Sequence, residues 1–351
     1  MNPRIKSSSE SAELVSSIDD LLLQILLLLP IRSLIRFKCG SKHWLSLITN
    51  PRFSLLRNPN PAIGLFFHRR DFHINPEYDY IHFDTQSQTN PPFKKLRFTE
   101  ENSISTICIL QSCNGLLLCS NFVTSHRSKR NYYVYNPTTK HFSTLPNTSH
   151  VVLGMSLTFD PASSPHYKVF CIRKSESARN HYQIEVYSSD TGPWRAVGDP
   201  FVSNACFGNG VYWNGMIHWI SPGDNFLNFT ILCFNVDLET RGEMPMPPAR
   251  QGGYVGFFGE SCGHLHLIAT YEAEGEIDVY EMKGDCSEWF VKYKVDVRQV
   301  LCCISWDGKA IRYNLVDGSV DMLCEFEGAE KQSSLRYLDL GFQYIESLCC
   351  V

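Results

Sequence analysis

Two different rhythms of apolar and polar residues divide this chain. From Leu21 to Leu29 every position except Gln24 is apolar. Leu22, Ile25, Leu26 and Leu29 recur at intervals of three and four, the spacing of one helical face. Leu21, Leu23, Leu27 and Leu28 cover much of the remaining circumference. A helix apolar nearly all round is buried on more than one side. It lies either deep in a large core or between a small helical unit and a partner. Its limits are marked by Ser17 as N-cap, by Asp19 and Asp20 at the positive end of the dipole, and by Pro30, which suits the first turn of a following helix. A second helix is predicted over residues 30–39, with Ile31, Leu34, Ile35 and Phe37 apolar. Gly40 stops it, and Ser41 caps a third helix that carries Trp44, Leu45, Leu47 and Ile48 and ends before Asn50-Pro51. Three short helices make too little core to stand alone comfortably, so an obligate neighbour is expected.

From about Pro61 the helical spacing disappears. Short runs rich in Val, Ile, Tyr, Phe and Cys alternate with Gly, Pro, Asn and Asp, the texture of an all-β domain. Aligning the runs on an aromatic residue followed by a polar turn gives a repeat, centred on Phe83, Tyr135, Tyr187, Phe234, Tyr280 and Tyr313. Six units at about 45-residue spacing predict a β-propeller of six blades, within one, because the last interval is short. Each blade buries both faces only when its neighbours stack on it. The lone C-terminal strand in GFQYIESL is expected to complete the incomplete first unit near residues 61–98 and close the ring. The boundaries read as a disordered tail over 1–16, the helical unit over 17–56, a linker over 57–62 and the β domain over 63–351.

The helical stretch DLLLQILLLLPIRSLIRFKCGSKHWLSLITNPRF resembles the F-box in its plant form over the whole three-helix unit. It departs from the usual pattern at three places: Ser17-Ile18 replaces leucine-proline, Gln24 replaces glutamate and Gly40 replaces valine. These departures bear on affinity more than on assignment. The β region resembles the F-box-associated, kelch-like domain of plant F-box proteins, through VYNPTTKHFSTLP, LTFDPASSPHYKVFCI, GVYWNGMIHWI, CFNVDLETRGEMPMP and YIESL. The resemblance implies a non-catalytic substrate receptor of an SCF-type ubiquitin ligase. Its F-box would dock on a Skp-family adaptor and, through it, on cullin and RING subunits, while the β domain captures a protein target. It assigns adaptor binding to Ile18, Leu21, Leu22, Ile25, Leu26, Leu29, Pro30, Ile31, Leu34 and Trp44.

Composition narrows the alternatives. With a formal net charge of −4 over 351 residues, general nucleic-acid or anionic-membrane binding is disfavoured. The charge is uneven: Arg32, Arg36, Lys38, Lys42, Arg52 and Arg57 fall between residues 30 and 57 with no acidic residue among them, which fits either a solvated face or an acidic partner. The 14 cysteines include vicinal pairs at 302–303 and 349–350 but no C-x-x-C, and most lie in strand-like runs. Buried thiols in a reducing cytoplasmic or nuclear compartment are expected, with no secretory signal and no apolar run long enough to span a bilayer. Cys262, His264 and His266 share one face of a strand but spread too far for one ion, so no metal or other cofactor is expected. Trp306-Asp307 precedes Gly308 and reads as a hairpin turn. Hydrolase, zinc-protease, Walker and dinucleotide signatures are absent from the sequence, leaving no catalytic residues to assign. A helix-turn-helix DNA binder lacks a recognition helix with several exposed polar residues in a row. A propeller-based binding protein, sugar-recognition protein or enzyme independent of a ligase is the remaining alternative, because fold does not fix function. Target specificity would reside in the loops 124–131, 173–181 and 221–228.

Overall fold

A computed structural model describes residues 18–57, 61–69, 77–84, 92–96, 98, 107–121, 130–148, 150–176, 180–221, 229–248, 250, 252–271, 273–296, 309–314, 316–325, 341–349 and 351. The N-terminal unit holds α1 (Asp19–Leu27), α2 (Ile31–Lys38), α3 (Lys42–Thr49) and α4 (Pro51–Leu56). The α1 N-cap is Ile18, extended and without a side-chain cap bond; Ser17, expected there, lies outside the described residues. Ser41 caps α3 as anticipated, its hydroxyl accepting from the His43 N–H at 3.2 Å. The fourth helix was not anticipated. Asn50-Pro51 ends α3 but also starts α4, with Pro51 in the first turn and Asn50 Oδ1 accepting from the Arg52 N–H at 2.9 Å. The helical core is Leu22, Leu26, Leu34, Ile48 and Phe53. Asp19–His43 (3.1 Å) and Arg57 Nη1 to the Leu27 carbonyl (3.2 Å) tie α1 to the helices and chain that follow.

The β domain is a propeller of antiparallel sheets in chain order. The first contains β1 (Gly64–Arg69) and β2 (Glu77–His82). The second runs β3 (Ile107–Cys113), β4 (Leu116–Asn121), β5 (Tyr132–Asn136) and β6 (His141–Thr144). The third runs β7 (Val152–Thr158), β8 (Lys168–Lys174), β9 (Tyr182–Ser188) and β10 (Arg195–Phe201). The fourth runs β11 (Val211–Trp213), β12 (Met216–Ser221), β13 (Thr230–Asn235) and β14 (Arg241–Pro245). The fifth runs β15 (Tyr254–Ser261), β16 (His264–Tyr271), β17 (Glu276–Met282) and β18 (Trp289–Asp296). A two-stranded ladder of β19 (Lys309–Tyr313) and β20 (Val320–Glu325) follows, and β21 (Gly341–Tyr344) returns to pair with β1. Among the described residues there are thus five sheets of three or four strands and one two-stranded ladder, inside the one-blade margin of the sequence reading.

The repeat has a local cause. The first two strands of the second, fourth and fifth sheets are joined by Asn114-Gly115, Asn214-Gly215 and Cys262-Gly263, each with both residues at positive φ, as a tight hairpin requires. The last two strands of the second and fourth sheets are joined by turns in which Asn136 and Asn235 Oδ1 accept backbone N–H groups from Thr138 (2.9 Å) and Leu238 (2.8 Å). Of the six aligned aromatics, Tyr135, Tyr187, Phe234 and Tyr280 fall on the third strand of their sheets, whereas Phe83 lies just past β2 and Tyr313 ends β19 of the two-stranded ladder. Apolar cores lie between successive sheets; Phe170, Ile172, Phe201, Trp219 and Phe234, for instance, fill the space between the third and fourth.

Candidate functional site

Two features single out the helical unit: an uncovered apolar stripe on α1 and a strap from the far end of the chain that reaches α2. The stripe comes from the over-apolar first helix. Leu26 and Leu34, at 1% and 0% exposure, belong to the core, as do Leu22 and Ile31. Ile18, Leu21, Ile25 and Leu28 stay out, at 40%, 42%, 45% and 86% exposure. Their spacing of three, four and three keeps them on one side of the helix. Leu45 and Leu56 add further exposed apolar surface to the unit.

The ten positions singled out from the sequence therefore divide. Ile18, Leu21, Ile25 and Pro30 are exposed, and Leu29 and Trp44 are half-buried, Trp44 packing edge-on against Phe37 at 4.8 Å. Leu22, Leu26, Ile31 and Leu34 have their side chains inside the unit, where they support the surface without forming it. Those four lie inward because α1 needs one face for α2–α4 before it can offer another. Leu28 and Leu45 were absent from the set. Leu28 was detectable, since it continues the 18, 21, 25 spacing; Leu45 was not, because helix periodicity does not say which neighbour covers α3.

The strap begins where β21 pairs with β1, with Leu65 opposite Gln343 and Phe66 opposite Phe342. Gln343 donates its backbone N–H to Ser112 Oγ (3.0 Å) and its side-chain amide to the Glu260 carbonyl (2.8 Å). Beyond it, Asn136 Nδ2 donates to the Ser347 and Cys349 carbonyls at 3.1 and 2.9 Å. The chain passes so close to the Asn114-Gly115 turn that a Cβ on Gly115 would sit 2.6 Å from Ser347 Cβ. It then reaches the helices: Glu346 pairs with Arg32 at 2.6 Å, Lys38 Nζ donates to the Leu348 carbonyl at 3.4 Å, and Leu348 packs on the helical core. The Glu346 hydrogen bond raises the pKa of Arg32 above its ordinary value. Of the six basic residues between 30 and 57, Arg32, Lys38 and Arg57 are thus engaged within the chain, while Arg36, Lys42 and Arg52 are exposed.

The chemistry weighed for the strand histidines takes another form. His266 Nε2 and His264 Nδ1 lie 2.9 and 3.4 Å from the two oxygens of Glu281, and Lys292 pairs with the same carboxylate. Burial works to raise the Glu281 pKa, but the bonds from Lys292 and His266 outweigh it and the net shift is downward. This is an ion-pair cluster across β16, β17 and β18, and no metal-holding group of His, Cys, Asp and Glu occurs among the described residues. Cys262 is exposed, in the left-handed turn before β16. Trp306, Asp307 and the pair 302–303 lie outside the described residues, as do 124–129, 177–179 and 222–228 of the three loops expected to carry target specificity. No helix among the described residues is long and apolar enough to cross a membrane.

Comparison with known proteins agrees with this architecture. Residues 19–56 match the F-box domain, and residues 66–247 match the F-box associated beta propeller domain. An F-box protein of Arabidopsis thaliana is 33% identical over 98% of this chain and 94% of its own length. Another from the same plant, an F-box/LRR-repeat/kelch-repeat protein, is 26% identical over 67% of this chain and 62% of its own. Among solved structures, a dipeptidyl peptidase 4 from Porphyromonas gingivalis covers 75% of this chain and 42% of its own at 10% identity, with a TM-score of 0.36, an overlap too low to bear on fold or chemistry.

Proposed function

The chain belongs to the F-box proteins that carry an F-box-associated β-propeller domain, and from that membership we propose that it is the substrate-recognition subunit of an SCF-type cullin-RING ubiquitin ligase. The F-box docks on a Skp-family adaptor, the propeller holds a protein target, and the chain itself does no chemistry. Cullin and RING subunits join through the adaptor, in the cytoplasm or nucleus.

The observation that carries this reading is the Ile18–Leu21–Ile25–Leu28 stripe. Burying one such side chain fully contributes about 1.5–3 kcal/mol before the costs of association. The stripe therefore suits a lasting interface, and its exposure in the free chain is unfavourable. Exposed Arg36, Lys42 and Arg52 favour an acidic partner.

The test is co-purification of the full chain with a Skp-family adaptor. Ile25→Asp and Leu28→Asp place a desolvated charge in the interface without touching the helical core, so both should lose the adaptor while melting like wild type. Leu26→Asp instead loads the core and should unfold the helical unit. Wild-type binding by both surface variants would remove the stripe from the interface.

A further inference from the structure

The outer rims of successive propeller sheets are joined by a repeated device. Trp194, immediately before β10, donates its indole N–H to the carbonyl of Pro146 beyond β6 at 2.8 Å. Trp289, first in β18, does the same to Pro245 at the end of β14 at 3.0 Å. These bonds link the second sheet to the third and the fourth to the fifth. Between the third and fourth sheets the first residue of the outer strand is Arg241, and its guanidinium stacks over the Phe201 ring at 4.6 Å. A cleft of about 500 Å³ opens there, with Phe201, Leu232, Ser221, Arg241 and Glu243 in its lining.

Arg241 and Glu243 point to the same side of β14, opposite Phe234 and Leu232 of β13 and away from buried Met244. Both are exposed, and neither has an ion-pair partner among the described residues. The two sheets are instead tied through the turn before β14, by Lys168–Asp237 (3.0 Å) and Arg195 Nη1–Glu239 Oε2 (3.1 Å). The cleft is left with a preoriented cation, an anion one strand-pleat away and a largely polar lining set over the buried Phe201 and Leu232. β14 is also the edge of its sheet, with β13 as its sole strand partner among the described residues. An added strand would place its residues i and i+2 beside Arg241 and Glu243.

We propose that the cleft between the third and fourth sheets is a docking site for an extended peptide of a partner protein, which lies along β14 and sets an acidic side chain against Arg241 and a basic one, two residues away, against Glu243. The proposal rests on the reading of the propeller as the target-holding part and supplies the peptide chemistry of one site on it. The Arg241–Phe201 stack holds the guanidinium in place before the peptide arrives, so less side-chain freedom is lost on binding.

The test uses the purified full chain as bait for a displayed library of random dodecapeptides, with Arg241→Glu, Glu243→Arg and the double charge swap as parallel baits. Wild type should enrich peptides with opposite charges two residues apart in one chain order. The double swap should enrich the reverse order, and each single variant should weaken a synthetic wild-type-selected peptide at least tenfold. A library containing phosphoserine would tell a carboxylate from a phosphate as the anion. The proposal is overturned if no charge pattern is enriched, or if wild type and the double swap enrich the same one. Adaptor co-purification by the same four proteins is read separately. Loss of peptide with adaptor retained indicts the cleft variant alone, whereas failure of wild type to take adaptor would indict the ligase reading.

Discussion

Removing residues 341–351 should damage the propeller far beyond the size of the segment. Phe342 and Tyr344 are buried, both in the core shared with Phe66, Tyr78 and Tyr135. Burying each contributes about 1.5–3 kcal/mol, so their loss alone costs about 3–6 kcal/mol. The cut also unpairs β1 along one edge and leaves the buried amide of Asn136 without the Ser347 and Cys349 carbonyls, at about 1–3 kcal/mol for an orphaned polar group. Set against a total stability of about 5–15 kcal/mol, that is most of the margin. At about 2–4 °C per kcal/mol for a large domain, the melting temperature should fall by about 8–36 °C, with aggregation through the bared β1 edge. The assay is a melt of the full chain against the chain ending at residue 340, read by far-ultraviolet circular dichroism. A truncated chain that stays soluble and melts with wild type would refute closure by β21.

Other perturbations separate local effects. Gly40 is exposed, lies outside the left-handed region, and a Cβ there would meet only the Phe37 carbonyl, at 3.5 Å. Gly40→Val therefore gains no buried packing and suffers no strain; a rise of about 0.4–1 kcal/mol from reduced unfolded-state freedom is the ceiling, read by denaturant midpoint. Burial pushes the His218 imidazole down to about 4, and its Nε2 has no hydrogen-bond partner. Because the unfolded state takes up the proton first, stability should be full above about pH 6.5 and fall towards pH 4 by about 3 kcal/mol, a slope that His218→Leu should flatten. Gly115→Ala combines φ +90° with a Cβ 2.7 Å from the Ile345 carbonyl, so it should lift the strap and raise hydrogen exchange in β21.

Much of this architecture was legible because its causes are local. Helix ends are written in Pro30, Ser41 and Asn50-Pro51, and the hairpins in Asn114-Gly115 and Asn214-Gly215. The repeating aromatic marks the third strand of four sheets because its neighbours on either side of the sheet face equivalent surroundings. What escaped reading depends on distant segments. Periodicity identified α1 as too apolar for its own unit, but whether Leu26 or Ile25 faces inward is decided by where α3 and α4 cross it. His264, His266 and Glu281 look like scattered ligands until β16 and β17 pair, bringing His266 opposite Glu281. Lys292, ten residues beyond the end of β17, then supplies the cation.

The basic run from Arg32 to Arg57 shows most clearly why charge alone underdetermines partners. Its excess can be met from outside by an acidic partner or from inside by carboxylates and carbonyls elsewhere in the chain, and α2 shows the inside route. Arg32 turns to Glu346 and Lys38 to the Leu348 carbonyl, leaving Arg36 on the exposed side of α2. With Leu348 packed against the helical core, the same strap that pairs with β1 also anchors the F-box. The F-box and the propeller are thus joined by residues at the opposite end of the sequence. Substitution of Leu348 or Glu346 should then loosen the F-box from the propeller, read as a larger radius of gyration of the full chain in small-angle scattering, while leaving both the Ile18–Leu28 stripe and the Arg241 cleft intact; an unchanged radius would show that the strap does not hold the two together.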